Sequence, residues 1–255
     1  MRVITFNANG IRAAARKGFF GWFARQRADV LCIQELKAQE HQLDRSHEVR
    51  GFMRYVFAAD KPGYSGVAIY CRREPEVVTR GFGDPEFDAE GRYIEARFDR
   101  FVVASAYFPS GSSSDERQVA KFRFLASFEA RMKQLVADPL PGLICGDINI
   151  AHKKIDIKNW RSNQKNSGFT PEERAWMDYA IERLGFVDAF RVVEPREDQY
   201  TWWSNRGRAR ENNVGWRIDY QLATSPLADA PRRARIYKDR FFSDHAPLII
   251  DYDLP

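Results

Sequence analysis

The sequence predicts an α/β fold in which two mixed sheets pack face to face with helices outside both. The first reason is the opening: strand, helix and strand follow one another within the first 35 residues, as in layered α/β arrangements. The second is the stretch from 53 to 108, which reads as strands with no helical run between them, so neighbours there should pair antiparallel. The third is the return of amphipathic helices after the loop at 109–114 and again after Thr170. A single doubly wound sheet is the alternative, disfavoured by the helix-free middle block.

Taken in order, Val3 to Phe6 reads as a buried strand ending in Asn7-Ala8-Asn9-Gly10. Residues 11–27 have helical spacing and an aromatic cluster, Phe19, Phe20, Trp22 and Phe23, interrupted by Gly18 and Gly21. The apolar run Val30-Leu31-Cys32-Ile33 follows and ends on Gln34-Glu35. Strands are then expected at 55–58, 66–71, 76–79, 93–98 and 101–108, separated by turn signals such as Asp60-Lys61-Pro62-Gly63. Ser114 or Asp115 caps a helix whose inward face should carry Val119, Phe122, Leu125, Phe128, Met132 and Leu135. Leu143-Ile144-Cys145 is a short strand ending in Gly146-Asp147-Ile148-Asn149. A polar stretch over 153–168 leads to Thr170-Pro171-Glu172-Glu173, a capping box with proline at the first helical position. That helix should bury Trp176, Ala180, Ile181 and Leu184 and stop at Gly185. Strand-like runs at 200–203 and 216–220 flank an arginine-rich loop, and 235–237 and 248–252 close the sheets.

With 255 residues, 44% hydrophobic and 29% charged, the chain can build a large core under a charged surface, and no composition shift divides it. It is read as a single catalytic domain over 1–255. The net charge of +5 suits a polyanionic partner. Cys32, Cys71 and Cys145 each lie inside an apolar run and form no C-x-x-C pair, so they read as buried free thiols of a reducing compartment. Met1 leads directly into a strand pattern, and no run is long enough to span a bilayer. The expectation is a cytoplasmic monomer without a membrane partner.

Polar residues recur where apolar runs stop: Asn7, Glu35, Tyr107, Asp147 with Asn149, Asp219, and Asp244 with His245. A carboxylate at the end of a buried strand needs a cation, a donor or water. In a layered α/β fold such ends can converge on one cleft. Carboxylates and amides with one histidine favour a hard cation, Mg²⁺ first and Mn²⁺ second, whereas His41, His47 and His152 have no zinc-like spacing. Singly, each of these residues has a plainer reading. Asn7 and Asn149 suit turns, Asp219 could pair with a core arginine, and Tyr107, Trp202, Trp203 and Trp216 could be packing.

Together, Phe6-Asn7-Ala8-Asn9-Gly10-Ile11-Arg12, Gln34-Glu35-Leu36-Lys37, Gly146-Asp147-Ile148-Asn149-Ile150, Val214-Gly215-Trp216-Arg217-Ile218-Asp219-Tyr220 and Ser243-Asp244-His245 resemble the exonuclease III family of abasic-site DNA endonucleases, within the endonuclease/exonuclease/phosphatase superfamily. Tyr64-Ser65-Gly66-Val67-Ala68 and Asn163-Gln164-Lys165-Asn166-Ser167-Gly168-Phe169 match as well, so the resemblance covers essentially the whole chain. It implies a four-layer αββα sandwich and Mg²⁺-dependent cleavage of the DNA backbone 5′ to an abasic site, as in base excision repair, with 3′-5′ exonuclease and 3′-end-cleaning activity alongside. By the same resemblance, Glu35 and Asn7 lie at the metal, joined by Asp244. Asp147 orients or deprotonates the attacking water, and Asn149 bonds that water or the transition-state oxygens. His245, held by Asp219, contacts the scissile phosphate, and Tyr107 contacts the phosphate or helps the leaving oxygen. Asp147, Asn149 and His245 thereby also border the metal.

Trp202, Trp216 and Ile218 would form an apolar pocket for a flipped-out abasic sugar, selective because no base fits it. Asn163, Asn166, Gly168 and Arg206 would contact the duplex, and the basic loops at 153–165 and 206–210 would meet phosphates. The sequence departs from some relatives: Asn9 replaces an aspartate, and Ser113 and Arg206 stand where larger or apolar side chains enter DNA. Gly168 leaves room that a bulky residue would fill, which favours internal abasic sites over end trimming. Inositol-phosphate phosphatases and sphingomyelinases share the implied fold and are the rival substrate class, and a non-catalytic DNA-binding module is a third reading.

Overall fold

Period-two alternation decides which side chains face which layer in this protein. The computed structural model describes residues 1–254. In chain order the strands of the first half are β1 (Arg2–Asn7), β2 (Val30–Gln34), β3 (Met53–Phe57), β4 (Val67–Cys71), β5 (Val77–Arg80), β6 (Tyr93–Arg97) and β7 (Val102–Tyr107). The second half supplies β8 (Gly142–Asp147), β9 (Phe186–Asp188), β10 (Trp202–Trp203), β11 (Gly215–Trp216), β12 (Asp219–Thr224), β13 (Pro231–Ile236) and β14 (Leu248–Tyr252). They build one six-stranded sheet in the order β13-β14-β1-β2-β4-β3 and another in the order β5-β6-β7-β8-β12-β9. Both are mixed: β1–β2 and β7–β8 are parallel, and the remaining neighbours are antiparallel.

Val3, Val30 and Cys32 point between the sheets, where they meet Val103, Leu143 and Cys145. Their chain neighbours Ile4, Leu31 and Ile33 point the other way and pack on Phe19, Phe20, Trp22 and Phe23. On the far side Val102, Ala104 and Ile144 pack on Phe124, Phe128, Met132 and Trp176 of the outer helices. The layers therefore run helix, sheet, sheet, helix, and the central strands are buried on both faces. Polar braces cross between the sheets: Gln34 donates to Ser105 Oγ at 2.9 Å and accepts from Thr5 Oγ1 at 3.2 Å, and Gln221 donates to the Val3 carbonyl at 3.1 Å. Among the described residues no helix is long and apolar enough to cross a membrane.

The antiparallel middle block holds for β3–β4 and for β5–β6–β7, but the chain changes sheets between β4 and β5. The helix expected over 11–27 is two short ones, Ile11–Arg16 and Phe19–Phe23, parted at Gly18, whose φ of 85° is left-handed. The Asp115–Ala137 helix starts on Ser114 as expected, but Val119 and Phe122 are exposed, 55% and 37%. At about 100° per residue they lie off the buried stripe of Lys121, Phe124, Leu125, Phe128, Met132 and Leu135. The capping box at Thr170 forms, and its helix widens into a π turn over Tyr179–Arg183. Ile181 and Leu184 are only partly buried there. Strand β9 and the Ala189–Val193 helix were not foreseen, being too short to show a period.

Candidate active site

Parallel and antiparallel pairing bring the polar strand ends to one pole. Asn7 ends β1 and Glu35 follows β2, which runs parallel to it. Tyr107 and Asp147 end the parallel pair β7–β8 in register, and Asp219, starting antiparallel β12, lies opposite Asp147. Asp244 and His245 stand just before β14, separated from it by Ala246 and Pro247. Here Trp203 N–H donates to Asp244 O and Ala246 N–H to Thr201 O, stitching this segment to β10. Thr201 Oγ1 accepts from Ile218 N–H and Asp219 N–H, so one buried threonine ties together the turns that carry Asp219 and His245.

The backbone is strained around this pole. Asn9, Glu35, Lys37, Ser65 and Asn149 all have positive φ, between 42° and 55°, a region sparsely used by side chains other than glycine and enriched at functional sites. Hydrogen bonds between neighbouring loops hold the conformation: Gly10 N–H to Glu35 O at 2.8 Å and Lys37 N–H to Ser65 O at 2.8 Å.

Glu35, Asp147 and His245 present ligand atoms within 4.8 Å of one another, a group able to hold a metal ion. Asn7, fully buried, bridges the two carboxylates, donating to Glu35 Oε1 at 3.0 Å and Asp147 Oδ2 at 2.8 Å. Asn149 donates its backbone N–H to Asp147 Oδ1 and its amide to Asp147 Oδ2, at 2.9 and 3.1 Å. His245 Nδ1 lies 2.9 Å from Asp219 Oδ2, leaving Nε2 toward Asp147 Oδ2 at 3.9 Å. Lys37 Nζ sits 2.8 Å from Glu35 Oε2 and 2.6 Å from Asn9 Oδ1. Asp244 is engaged by Asn9, Ser243 and the Trp202 indole and is not one of those three residues that could hold the ion.

The electrostatics follow from burial among charges. Burial and the nearby Asp219 and Glu35 carboxylates push Asp147 up to about 8 against the pull of His245. Burial disfavours the His245 cation, yet Asp219, Asp147 and Asp244 raise the ring to about 10, so it is charged at neutral pH. Burial also disfavours ionised Glu35, but Lys37, Asn7 and His245 outweigh it and hold its pKa below 4.5. Burial and then Glu35 keep the Tyr107 phenol protonated. Buried Arg92 underlies that ring at 4.9 Å and donates to the Tyr107 carbonyl at 3.0 Å. Two carboxylates joined by an amide form an oxygen-rich set suited to a hard divalent cation, while the cysteines lie in the core between the sheets.

These groups open into a cleft of about 790 Å³. Trp202 and Trp216, edge to face at 6.1 Å, stand with Ile218 on one wall, and Asn166, Gly168, Lys165 and Arg206 border it. Asn7 and Asp219 lie behind the wall, holding Glu35, Asp147 and His245 in place. Asn163 does not line the cleft; its amide bonds the Asn159 carbonyl and its Oδ1 receives Asn166. The basic loops divide in the same way. Lys165 and Arg206 border the cleft, whereas Lys158 pairs with Asp198, Arg208 pairs with Glu211 and Arg210 stacks on Trp203. Lys37, Arg92 and Thr201 are neighbours that the strand-end pattern does not mark, though Lys37 lies inside one of the motifs; Asn9, marked for the aspartate it replaces, bonds Asp244 and Lys37.

The family model described as the Endonuclease/Exonuclease/phosphatase family matches residues 4–245. The DNA repair nuclease APEX1 of Danio rerio is 38% identical over 256 residues, covering 98% of this chain and 81% of the relative. An exodeoxyribonuclease of Bacillus subtilis is 38% identical over 250 residues, covering 97% of this chain and 98% of the relative. The structure of an AP endonuclease from Archaeoglobus fulgidus superposes with a TM-score of 0.90 at 29% identity, covering 100% of both chains.

Proposed function

The chain belongs to the endonuclease/exonuclease/phosphatase family, and we propose that it is a Mg²⁺-dependent DNA repair phosphodiesterase that nicks the backbone 5′ to abasic sites and trims blocked 3′ ends. The single observation that carries this is the meeting of Glu35, Asp147 and His245 within 4.8 Å, in the same cleft as the Trp202–Trp216–Ile218 wall. An acid, amide and imidazole set beside a small apolar pocket suits a phosphodiester whose neighbouring sugar has no base. In this reading the protein acts as a cytoplasmic monomer of one catalytic domain on double-stranded DNA.

Glu35, with Asn7 beside it, and Asp147 would hold the cation. Bound there, Mg²⁺ or Mn²⁺ would neutralise charge developing on the phosphate oxygens. His245, charged and oriented by Asp219, donates from Nε2 to a phosphate oxygen. Asp147, held in place by the Asn7 and Asn149 amides, accepts the proton of the attacking water as general base. Asn149, beside Asp147, orients that water or bonds the transition-state oxygens. Tyr107, kept protonated, donates to the phosphate or the leaving oxygen. Asp244 acts indirectly, fixing Asn9 and the Trp202 ring. Asn166, Gly168, Lys165 and Arg206 meet the duplex, and Asn163 supports Asn166.

The test is a duplex carrying one abasic analogue, incubated with protein and Mg²⁺, with and without EDTA. A nick 5′ to the lesion that EDTA abolishes is the expected result. An intact duplex, with phosphate released from a soluble inositol phosphate instead, would overturn the substrate assignment.

A further inference from the structure

The Asp115–Ala137 helix faces the core with a lysine, fully buried among phenylalanines and leucines. Lys121 Nζ donates to Glu173 Oε1 at 2.6 Å and to the backbone carbonyl of Asn149 at 2.7 Å. Glu173, also fully buried, turns its other oxygen to Gly168 N–H at 2.6 Å and Thr170 N–H at 3.0 Å. The Gly168 carbonyl in turn accepts from Ala151 N–H at 2.8 Å. One buried ion pair is thus bonded both to the turn that presents Asn149 and to the loop that carries Gly168 along the cleft.

Such a pair is a poor device for stability alone, because two desolvated charges are often matched or bettered by packed apolar side chains. It is good at fixing geometry, because its bonds are directional and charge-assisted. The residue it grips needs fixing: Asn149 has a φ of 55°, and its N–H and amide both bond Asp147. Resting on the nuclease reading above, we propose that Lys121 is a positioning residue for the reaction: it pins the left-handed Asn149 turn, and Glu173 couples that turn to the Gly168 loop. Lys121 touches no reacting atom and acts only through Asn149.

The test compares wild type with Lys121→Met, the charge-balanced pair Lys121→Met/Glu173→Gln, Asn149→Ala and their combinations. Rates are measured under single turnover on an abasic duplex in Mg²⁺, with duplex affinity measured separately. The balanced pair leaves no lone buried charge, so it carries the test if Lys121→Met does not fold. It lowers the single-turnover rate roughly ten-fold or more while affinity changes less than about three-fold, as expected for a misplaced catalytic group. In the Asn149→Ala background the same substitutions cost nothing further. Equal losses in both backgrounds would overturn the proposal, since independent effects add. Amide exchange decides the point without activity. Segments 147–152 and 163–170 exchange faster in the balanced pair, while β1 and β2 keep their protection; unchanged exchange in those two segments overturns the proposal. If wild type nicks no abasic duplex, the nuclease reading falls while the exchange result still decides the role of Lys121.

Discussion

His245 Nδ1 lies 2.9 Å from Asp219 Oδ2, while Asp219 Oδ1 has no hydrogen-bond partner among the described residues. A fully buried carboxylate half-satisfied in this way is costly, and its one strong side-chain partner is the imidazole. It fixes the proton on Nδ1 and favours the charged ring. A step that uses the His245 cation is intact below the raised pKa of about 10 and is lost as pH rises through it. Asp219→Asn removes the largest stabilising charge, so the alkaline limb of the cleavage rate should move to lower pH and the plateau should fall by roughly 10²-fold. An unmoved alkaline limb in the pH–rate profile would contradict this role.

The Glu35 carboxylate is kept ionised by Lys37, Asn7 and His245 against its burial. Glu35→Gln preserves shape and the Asn7 contact region but removes one of two carboxylates facing the cation position. The Mg²⁺ concentration for half-maximal cleavage should rise by about ten-fold or more. Direct Mn²⁺ binding, followed by water proton relaxation, should weaken in parallel. Equal Mn²⁺ affinity in the two proteins would remove Glu35 from the metal site.

Much of this was legible in the sequence because short apolar runs bounded by polar side chains give both strands and site. Asn7, Glu35, Asp147 and Asp219 were found that way. What stayed hidden depends on pairing across long separations. Nothing local says that β4 and β5 belong to different sheets, or that Thr201 ties the turns bearing Asp219 and His245. Lys121 was overlooked because a lysine on a helix reads as solvated. Val119 and Phe122 misled for the converse reason, being apolar side chains left on the outer face. Asn163 stood in the right motif, but its side chain closes its own turn.

Arg217 shows what acid should do to the frame behind the site. It is fully buried and joins Asp156, at 2.8 Å, to Asp188, at 2.6 Å. Burial would raise Asp156, but Arg217 and Arg191 hold it down to about 2, below its ordinary 3.8. A depressed carboxyl contributes stability fully above its unfolded pKa and loses it as pH falls through the folded one. The window is therefore between about pH 4 and pH 2, and the contribution is about 2 kcal/mol. Arg217→Met should cost more, about 3–5 kcal/mol, because it strands buried Asp188 and leaves Asp156 to Arg191 alone. Urea unfolding at pH 7 and pH 3 would check both; a variant as stable as wild type at pH 7 would rule the network out as a support.

Gly168 is where the backbone leaves the cleft open. Its φ is +93°, and a Cβ there would lie 3.0 Å from Trp216 Cζ3 and 3.1 Å from the Asn149 carbonyl. An alanine is therefore strained by its backbone and crowded from two sides, by the proposed sugar pocket and by the catalytic turn. Relief comes through small shifts of Trp216 or of the Asn149 turn, and both border the reaction. Gly168→Ala should lower kcat/KM for internal abasic sites by about ten-fold, and Gly168→His by more, since added bulk enters the space beside the duplex. Removal of a 3′-terminal block needs no flipped nucleotide within a continuous helix, so it should fall less and the ratio of end trimming to internal nicking should rise. Both rates are read on matched duplexes that differ only in lesion position. A ratio unchanged from wild type would mean that Gly168 serves the loop's conformation alone and does not select the substrate.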